Sequence, residues 1–236
     1  MPDAAAKKPE RPPIILERRQ AAGHYRQLLK RIHQQRRPSV YIEIGVQRGR
    51  TLALAQFSNL AVGIDPVPRI EEQLPKGAVV SPVESDKFFE TEVEKTLNGR
   101  KIDFGFVDGL HVFEQALRDI LNIERYANAD GIIAVHDVMP IDERTAFRDR
   151  ETQIWTGDVW KAIYCMARLD PAVQITTVQC APSGLAIIQG LSPDRRLSEN
   201  DLNALYAYGD SLKFGDYERS HQKVLNVVNE IGSFKR

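Results

Sequence analysis

A chain of 236 residues, 42% apolar and 27% charged, suits one large domain with an appendage and excludes a disordered, collagen-like or small disulfide-stapled protein. Its 32 Lys and Arg balance 32 Asp and Glu. Cys165 and Cys180 have neither a disulfide framework nor metal-finger spacing, no apolar run reaches the ~18 residues of a membrane span, and the start lacks the apolar stretch of a secretion signal, so a cytoplasmic protein with no membrane partner is expected.

Charge is uneven along the chain. Residues 1–37 hold ten Lys/Arg against three Asp/Glu, leaving 22 against 29 on the rest. Such a basic arm could dock on nucleic acid. The helical spacing of Tyr25, Leu28, Leu29 and Ile32 argues instead for a solvated amphipathic helix. The Pro/Lys/Ala composition of residues 1–13 predicts disorder, and a helix is predicted from Ile14 to Gln35, stopped near Pro38.

The next hundred residues alternate. Strands are predicted over Ser39–Gly45, Leu60–Asp65, Ala78–Ser81, Ile102–Asp108 and Gly131–Asp137. Between them, helices are predicted over Thr51–Phe57 and Asp86–Leu97, and one carries the apolar face Phe113, Ala116, Leu117, Ile120 and Ile123. This order means βαβ units and a parallel sheet covered on both faces. A polar loop follows from Met139 to Gly157, then a helix over Asp158–Leu169. Val173–Gln179 and Gly184–Gln189 form two strands whose short connection makes them antiparallel. The segment Leu191–Arg236 reads as helical. Three parts are expected: residues 1–37 as basic arm and helix, 38–190 as the main α/β domain, and 191–236 as a helical extension packed on it.

Candidate chemistry lies at the carboxyl ends of these strands, where open α/β sheets bind ligands. Gly45 and Gly49 in the first strand–helix turn let the backbone approach a ligand closely. The three-glycine dinucleotide fingerprint and the phosphate-binding lysine loop are both missing. Asp65, ending the second strand 22 residues after Glu43, is placed to accept hydrogen bonds from ribose hydroxyls. Ser85 and Asp86 follow the third strand, where they could read an adenine edge, or Ser85 could simply cap the next helix. Asp108 and His111 after the fourth strand, with His136 and Asp137 after the fifth, converge in the same cleft. Carboxylates with imidazole suit a divalent cation.

With these residues in hand, the chain resembles the class I S-adenosylmethionine-dependent methyltransferases. Within them it is similar to the bacterial small-molecule O-methyltransferase group related to macrolide-sugar methyltransferases and cephalosporin-hydroxylase-like proteins. The matching stretches are 43–49, 63–65, 85–89, 102–111 with Glu114 and Asp119, 131–137 and 157–161, together spanning roughly residues 38–190. The resemblance implies a Rossmann-like seven-stranded, mostly parallel sheet whose last strand is antiparallel. It implies that Glu43, Gly45 and Gly49 line the methionine part of S-adenosylmethionine, that Asp65 holds the ribose, and that Ser85 and Asp86 lie by the adenine. Metal-dependent relatives bind Mg²⁺ through a carboxylate after the fourth strand and an acidic pair after the fifth. Asp108 and Asp137 occupy those places here, and His136 stands where relatives have Asp or Glu.

The expected activity is O-methylation of a small-molecule hydroxyl. Asp108, His136 and Asp137 would hold Mg²⁺ or Mn²⁺, and His111 would take the proton, since imidazole titrates near neutral pH. By analogy Trp160 and Lys161 contribute to the substrate side. Three alternatives stand beside this: a metal-independent methyltransferase with a His base, a nicotinamide-dependent oxidoreductase, and, ranked last, a non-catalytic or nucleic-acid-directed protein using the basic arm. The first helix is expected either to cover the site or to pair subunits in a homo-oligomer.

Overall fold

The computed structural model describes residues 23–234. The basic arm and residues 14–22 of the predicted first helix lie outside them. Eight strands form one sheet: β1 Val40–Ile44, β2 Leu60–Ile64, β3 Ala78–Ser81, β4 Ile102–Val107, β5 Ala127–His136, β6 Gln174–Val178, β7 Leu185–Gln189 and β8 Val227–Val228. Their order is β3-β2-β1-β4-β5-β7-β6-β8. β1 to β5 run parallel, β7 is antiparallel to both neighbours, and β8 joins β6 in parallel.

The fold is therefore the predicted Rossmann-like one with a two-residue eighth strand added inside the C-terminal segment. Asn226 creates it. Its left-handed backbone (φ 45) turns the chain, its carbonyl accepts from the Thr177 amide at 3.2 Å, and its side-chain amide donates to the Ile175 carbonyl at 3.1 Å.

Seven helices are described: α1 Tyr25–Arg36, α2 Ser85–Thr91, α3 Val93–Leu97, α4 Phe113–Tyr126, α5 Trp160–Leu169, α6 Glu199–Ser211 and α7 Phe214–Val224. Ile42, Ile44, Val62, Ile64, Ile133 and Val135 on one sheet face pack against residues of α2 to α7. Tyr41, Phe104, Phe106, Ile132 and Ala134 on the other pack against Leu28, Leu29 and Ile32 of α1. Both faces of the central strands are thus dry, the condition for a parallel sheet.

Three predicted helices differ. The first does not run unbroken from Ile14: Gly23 is left-handed (φ 79), and extended His24 pairs with Ala181 and caps α1 through the Arg26 amide. The stretch Thr51–Phe57 holds only a 3-10 turn, Leu52–Leu54. The amides of Asn59 and Leu60 both bond the Ser39 carbonyl, so the chain must return at once to start β2 beside β1. The helix predicted over Asp86–Leu97 breaks at Glu92 into α2 and α3, where φ is −118.

Candidate active site

A cavity of about 820 Å³ opens where β1, β2, β4 and β5 end, within the range of small-ligand sites. Its floor is the turn after β1. Gly45 has φ 90, and a Cβ there would lie 2.1 Å from the Asp108 carbonyl oxygen. Only glycine lets the β1 and β4 ends close together. Asp65 ties this turn to β2: Oδ2 accepts from the Gln47 amide at 2.7 Å and Oδ1 from Val67 at 2.8 Å. A second lone pair remains on each oxygen for a ligand hydroxyl.

Of the six residues expected around the cofactor, Gly45, Asp65, Ser85 and Asp86 are on the cavity wall. Gly49 and Glu43 are not on it. Glu43 is fully buried behind the wall, accepting from Tyr41 Oη at 2.7 Å and from Thr51 Oγ1 at 2.6 Å. Burial pushes its pKa up to about 8 against the pull of those bonds. It reaches the cavity through Thr51, which does line it.

Ser85 is not a helix cap; Glu84 holds that position. Ser85 Oγ donates to Asp119 Oδ1 at 2.6 Å, and Gln115 Nε2 reaches Ser85 Oγ (3.1 Å), Asp86 Oδ1 (3.2 Å) and Asp119 Oδ1 (3.0 Å). Burial pushes Asp119 up to about 7, although the Ser85 and Gln115 bonds pull it down. Gln115 and Asp119 sit four residues apart on one face of α4. That spacing was the available signal for Gln115, which the sequence reading passed over.

The four polar residues after β4 and β5 do converge. His136 Nδ1 lies 3.1 Å from Asp108 Oδ1 and 3.2 Å from Asp137 Oδ2. His111 Nε2 lies 3.3 Å from Asp137 Oδ2 and 3.8 Å from Asp108 Oδ1. Asp137 is left-handed (φ 59), which aims its carboxylate back into the cluster, and Ser183 Oγ donates to its Oδ1. Burial alone would depress the His136 imidazole, but Asp137 and Asp108 outweigh it and raise its pKa to about 10. Asp137 is in turn held below the usual carboxylate range: burial opposes this, and the charge of His136 prevails. His136 thus faces two carboxylates that favour its protonated form.

His111 differs. Its Nδ1–H donates to the Trp155 carbonyl at 3.1 Å, leaving the Nε2 lone pair toward the carboxylates. Ligand-capable atoms of Asp108, His111 and Asp137 all lie within 4.8 Å of one another. Three acceptors face each other there, and their donor set of two oxygens and one imidazole nitrogen fits Mg²⁺, Mn²⁺ or Zn²⁺.

Two aromatic rings frame the cluster; Tyr25 reads in the sequence only as part of a helix face, and Trp155 as part of a polar loop. Tyr25 lies against His136 at 3.9 Å with its ring tilted by 33°, and Trp155 stacks on His111 at 4.7 Å with planes 21° apart. Trp155 sits in the predicted polar loop, whose end is pinned to the site. Gly157 (φ 56) packs so close that a Cβ would lie 1.8 Å from the His111 carbonyl oxygen, and Asp158 Oδ1 accepts from the Phe113 amide at 2.9 Å, capping α4. Trp160 and Lys161 are not on the substrate side. Trp160 is buried against Tyr164 and Tyr217, and Lys161 Nζ pairs with Asp158 at 3.5 Å beneath the loop.

Residues 42–138, which carry most of β1, all of β2 to β5 and the four polar residues of the cluster, match a family model described as a methyltransferase domain. Solved structures share the fold. An O-methyltransferase from Bacillus cereus in complex with S-adenosylhomocysteine aligns at a TM-score of 0.52 with 15% identity, covering 78% of this chain and 92% of that one. The O-methyltransferase TomG from Streptomyces achromogenes, involved in tomaymycin synthesis and in complex with S-adenosylmethionine, aligns at 0.57 with 12% identity, covering 80% and 93%. No curated protein matches the sequence. The chain thus shares the Rossmann-like α/β fold of these two structures, and its central strands lie in the stretch that matches the methyltransferase domain.

Proposed function

We propose that the chain is an S-adenosylmethionine-dependent methyltransferase that methylates a hydroxyl group of a small molecule at the Asp108–His111–Asp137 cluster, with a divalent cation held by those three residues. The observation that carries this reading is the set of three mutually facing acceptors, two carboxylates and an imidazole Nε2, at the carboxyl ends of β4 and β5. In this reading His111 replaces His136 among the ligands, because His136 already serves the same carboxylates as their charged donor. No helix among the described residues is long and apolar enough to cross a membrane, which fits a small dissolved acceptor.

S-adenosylmethionine supplies a methyl group on a sulfonium, transferred in line to the acceptor oxygen. A bound divalent cation makes a coordinated hydroxyl far more acidic and fixes its direction. The chain's own residues orient and enclose. Asp65 receives the ribose hydroxyls through its free lone pairs, Ser85 and Asp86 border the base, and the glycine turn admits the cofactor's methionine portion. His136, held from above by Tyr25, keeps the two carboxylates apart and aimed. Trp155 fixes the His111 tautomer so that its Nε2 lone pair faces Asp108 and Asp137. Residues 38–190 make up this unit, and the described residues after 190 close on it through Arg195, which joins Glu124 and Asp170 at 2.9 Å each.

A second reading rests on the same tautomer. With Nδ1–H committed to Trp155, Nε2 is free to take the hydroxyl proton itself, and Asp137 would stabilise the imidazolium formed. Under both readings His111→Ala is expected to lower turnover about 10²- to 10⁴-fold, with S-adenosylhomocysteine affinity unchanged by calorimetry. Exhaustive chelation separates them. Activity on catechol that disappears with chelator and returns with Mg²⁺ or Mn²⁺ supports the cation; activity indifferent to chelator selects the His base.

A further inference from the structure

Four arginines, Arg26, Arg48, Arg50 and Arg150, line the cavity. Two of them are tied. Arg48 pairs with Glu71 at 3.3 Å and Arg50 with Glu72 at 4.0 Å, on the far side of the glycine turn. Arg26 and Arg150 form no ion pair with a carboxylate among the described residues. Arg150 is held only by the Gln153 carbonyl at 3.3 Å, while its near neighbour Arg148 grips Glu114 through both terminal nitrogens at 2.9 and 2.8 Å. The loop thus anchors itself with one arginine and leaves the other toward the cavity.

Charge makes the arrangement informative. Six carboxylates also line the cavity, those of Asp65, Glu84, Asp86, Asp108, Asp119 and Asp137, yet none of them pairs with Arg26 or Arg150, so each of these two guanidinium groups is open to a ligand anion. The cofactor brings one carboxylate and two arginines await a partner, which leaves one for the acceptor. Position decides which. Arg150 belongs to the loop whose Trp155 stacks on His111, the imidazole proposed to meet the acceptor, whereas Arg26 adjoins Tyr25, whose ring lies against His136, the imidazole left out of that contact.

Resting on the function proposed above, we infer that the acceptor is a hydroxylated carboxylic acid whose carboxylate pairs with Arg150 while its hydroxyl meets the Asp108–His111–Asp137 cluster. A single planar guanidinium matches a carboxylate in a two-point fork. No lysine lines the cavity beside it, as a phosphate ester would favour. The exposed Leu110 and the indole of Trp155 suit a flat carbon skeleton between the two polar ends.

The test uses the full chain saturated with S-adenosylhomocysteine and Mg²⁺, titrated calorimetrically with protocatechuate and with its primary amide, which keeps the size and planar shape but loses the charge. The acid is expected to bind at least about tenfold more tightly. That preference is expected to fall to within about twofold in Arg150→Gln and to persist in Arg26→Gln, which instead weakens S-adenosylhomocysteine itself. Equal affinities, a preference that survives Arg150→Gln, one that depends on Arg26, or no binding of either compound overturns the inference. Failure to bind S-adenosylhomocysteine in the first titration refutes the proposed function instead, so the two failures are distinct.

Discussion

Asp137→Asn is expected to lower Mn²⁺ affinity at least about 100-fold, read by electron paramagnetic resonance, and turnover about 10³-fold, equivalent to ~4 kcal/mol of barrier. S-adenosylhomocysteine affinity should stay within about threefold of the parent. The substitution is chosen for what it preserves. Asparagine tolerates the left-handed backbone that Asp137 adopts (φ 59), and its amide oxygen still accepts from Ser183 Oγ. What disappears is one negative charge facing His136 at 3.2 Å and His111 at 3.3 Å. The His136 imidazolium, raised to about 10 against burial by two carboxylates, then has only Asp108 to hold it, so its pKa should fall in the variant. Mn²⁺ affinity equal to the parent's would remove Asp137 from the ligand set.

The second large effect is on stability and lies on the opposite face of the sheet. His33 in α1 is buried, its two ring nitrogens lack hydrogen-bond partners among the described residues, and it stands edge-on to Tyr41 at 4.6 Å and to Phe104 at 5.1 Å. Burial pushes its pKa down to about 4. The unfolded chain takes up a proton near 6.5 while the folded chain does not. The stability due to neutral His33 is therefore fully present above about pH 6.5 and is lost as pH falls toward 4. The interval corresponds to ~3 kcal/mol. Glu43 and Asp119, whose raised values favour the folded chain in acid, slope the other way. The His33 effect is thus read as a difference between variants. His33→Leu is expected to gain about 3 kcal/mol on the parent between about pH 7 and pH 4 in urea unfolding. A constant difference across that range would contradict the assignment.

Much of this architecture was legible in the chain because it follows from local pattern. Apolar runs such as Val40–Ile44 and Ile102–Val107 are buried on both faces and so lack alternation, the mark of central parallel strands. Gly45 and Asp65 sit where the strand–turn logic puts them. The two late strands declared themselves antiparallel by their short connection. What stayed hidden depends on contacts between distant segments. The Gly23–His24 break exists because Ala181 pairs with His24, and the 3-10 turn replaces a helix because Ser39 binds Asn59 and Leu60. α4 starts without a cap of its own because Asp158, 45 residues on, supplies one.

The site divides in the same way. Asp108, His111, His136 and Asp137 could be named from strand ends. Which imidazole donates and which accepts could not, since it is set by Trp155 in a loop that read only as polar. Trp160 and Lys161, assigned to the substrate by analogy, turn inward because α5 needs an apolar anchor and Asp158 needs a cation.

A crystal structure of the protein grown with S-adenosylhomocysteine and Mn²⁺, with anomalous data collected for manganese, tests the central claim most directly. The expected map places the ribose hydroxyls on Asp65 and a manganese peak bounded by Asp108, His111 and Asp137. A nucleoside bound away from the carboxyl ends of β1 and β4, or a manganese peak outside that triangle, would contradict the account.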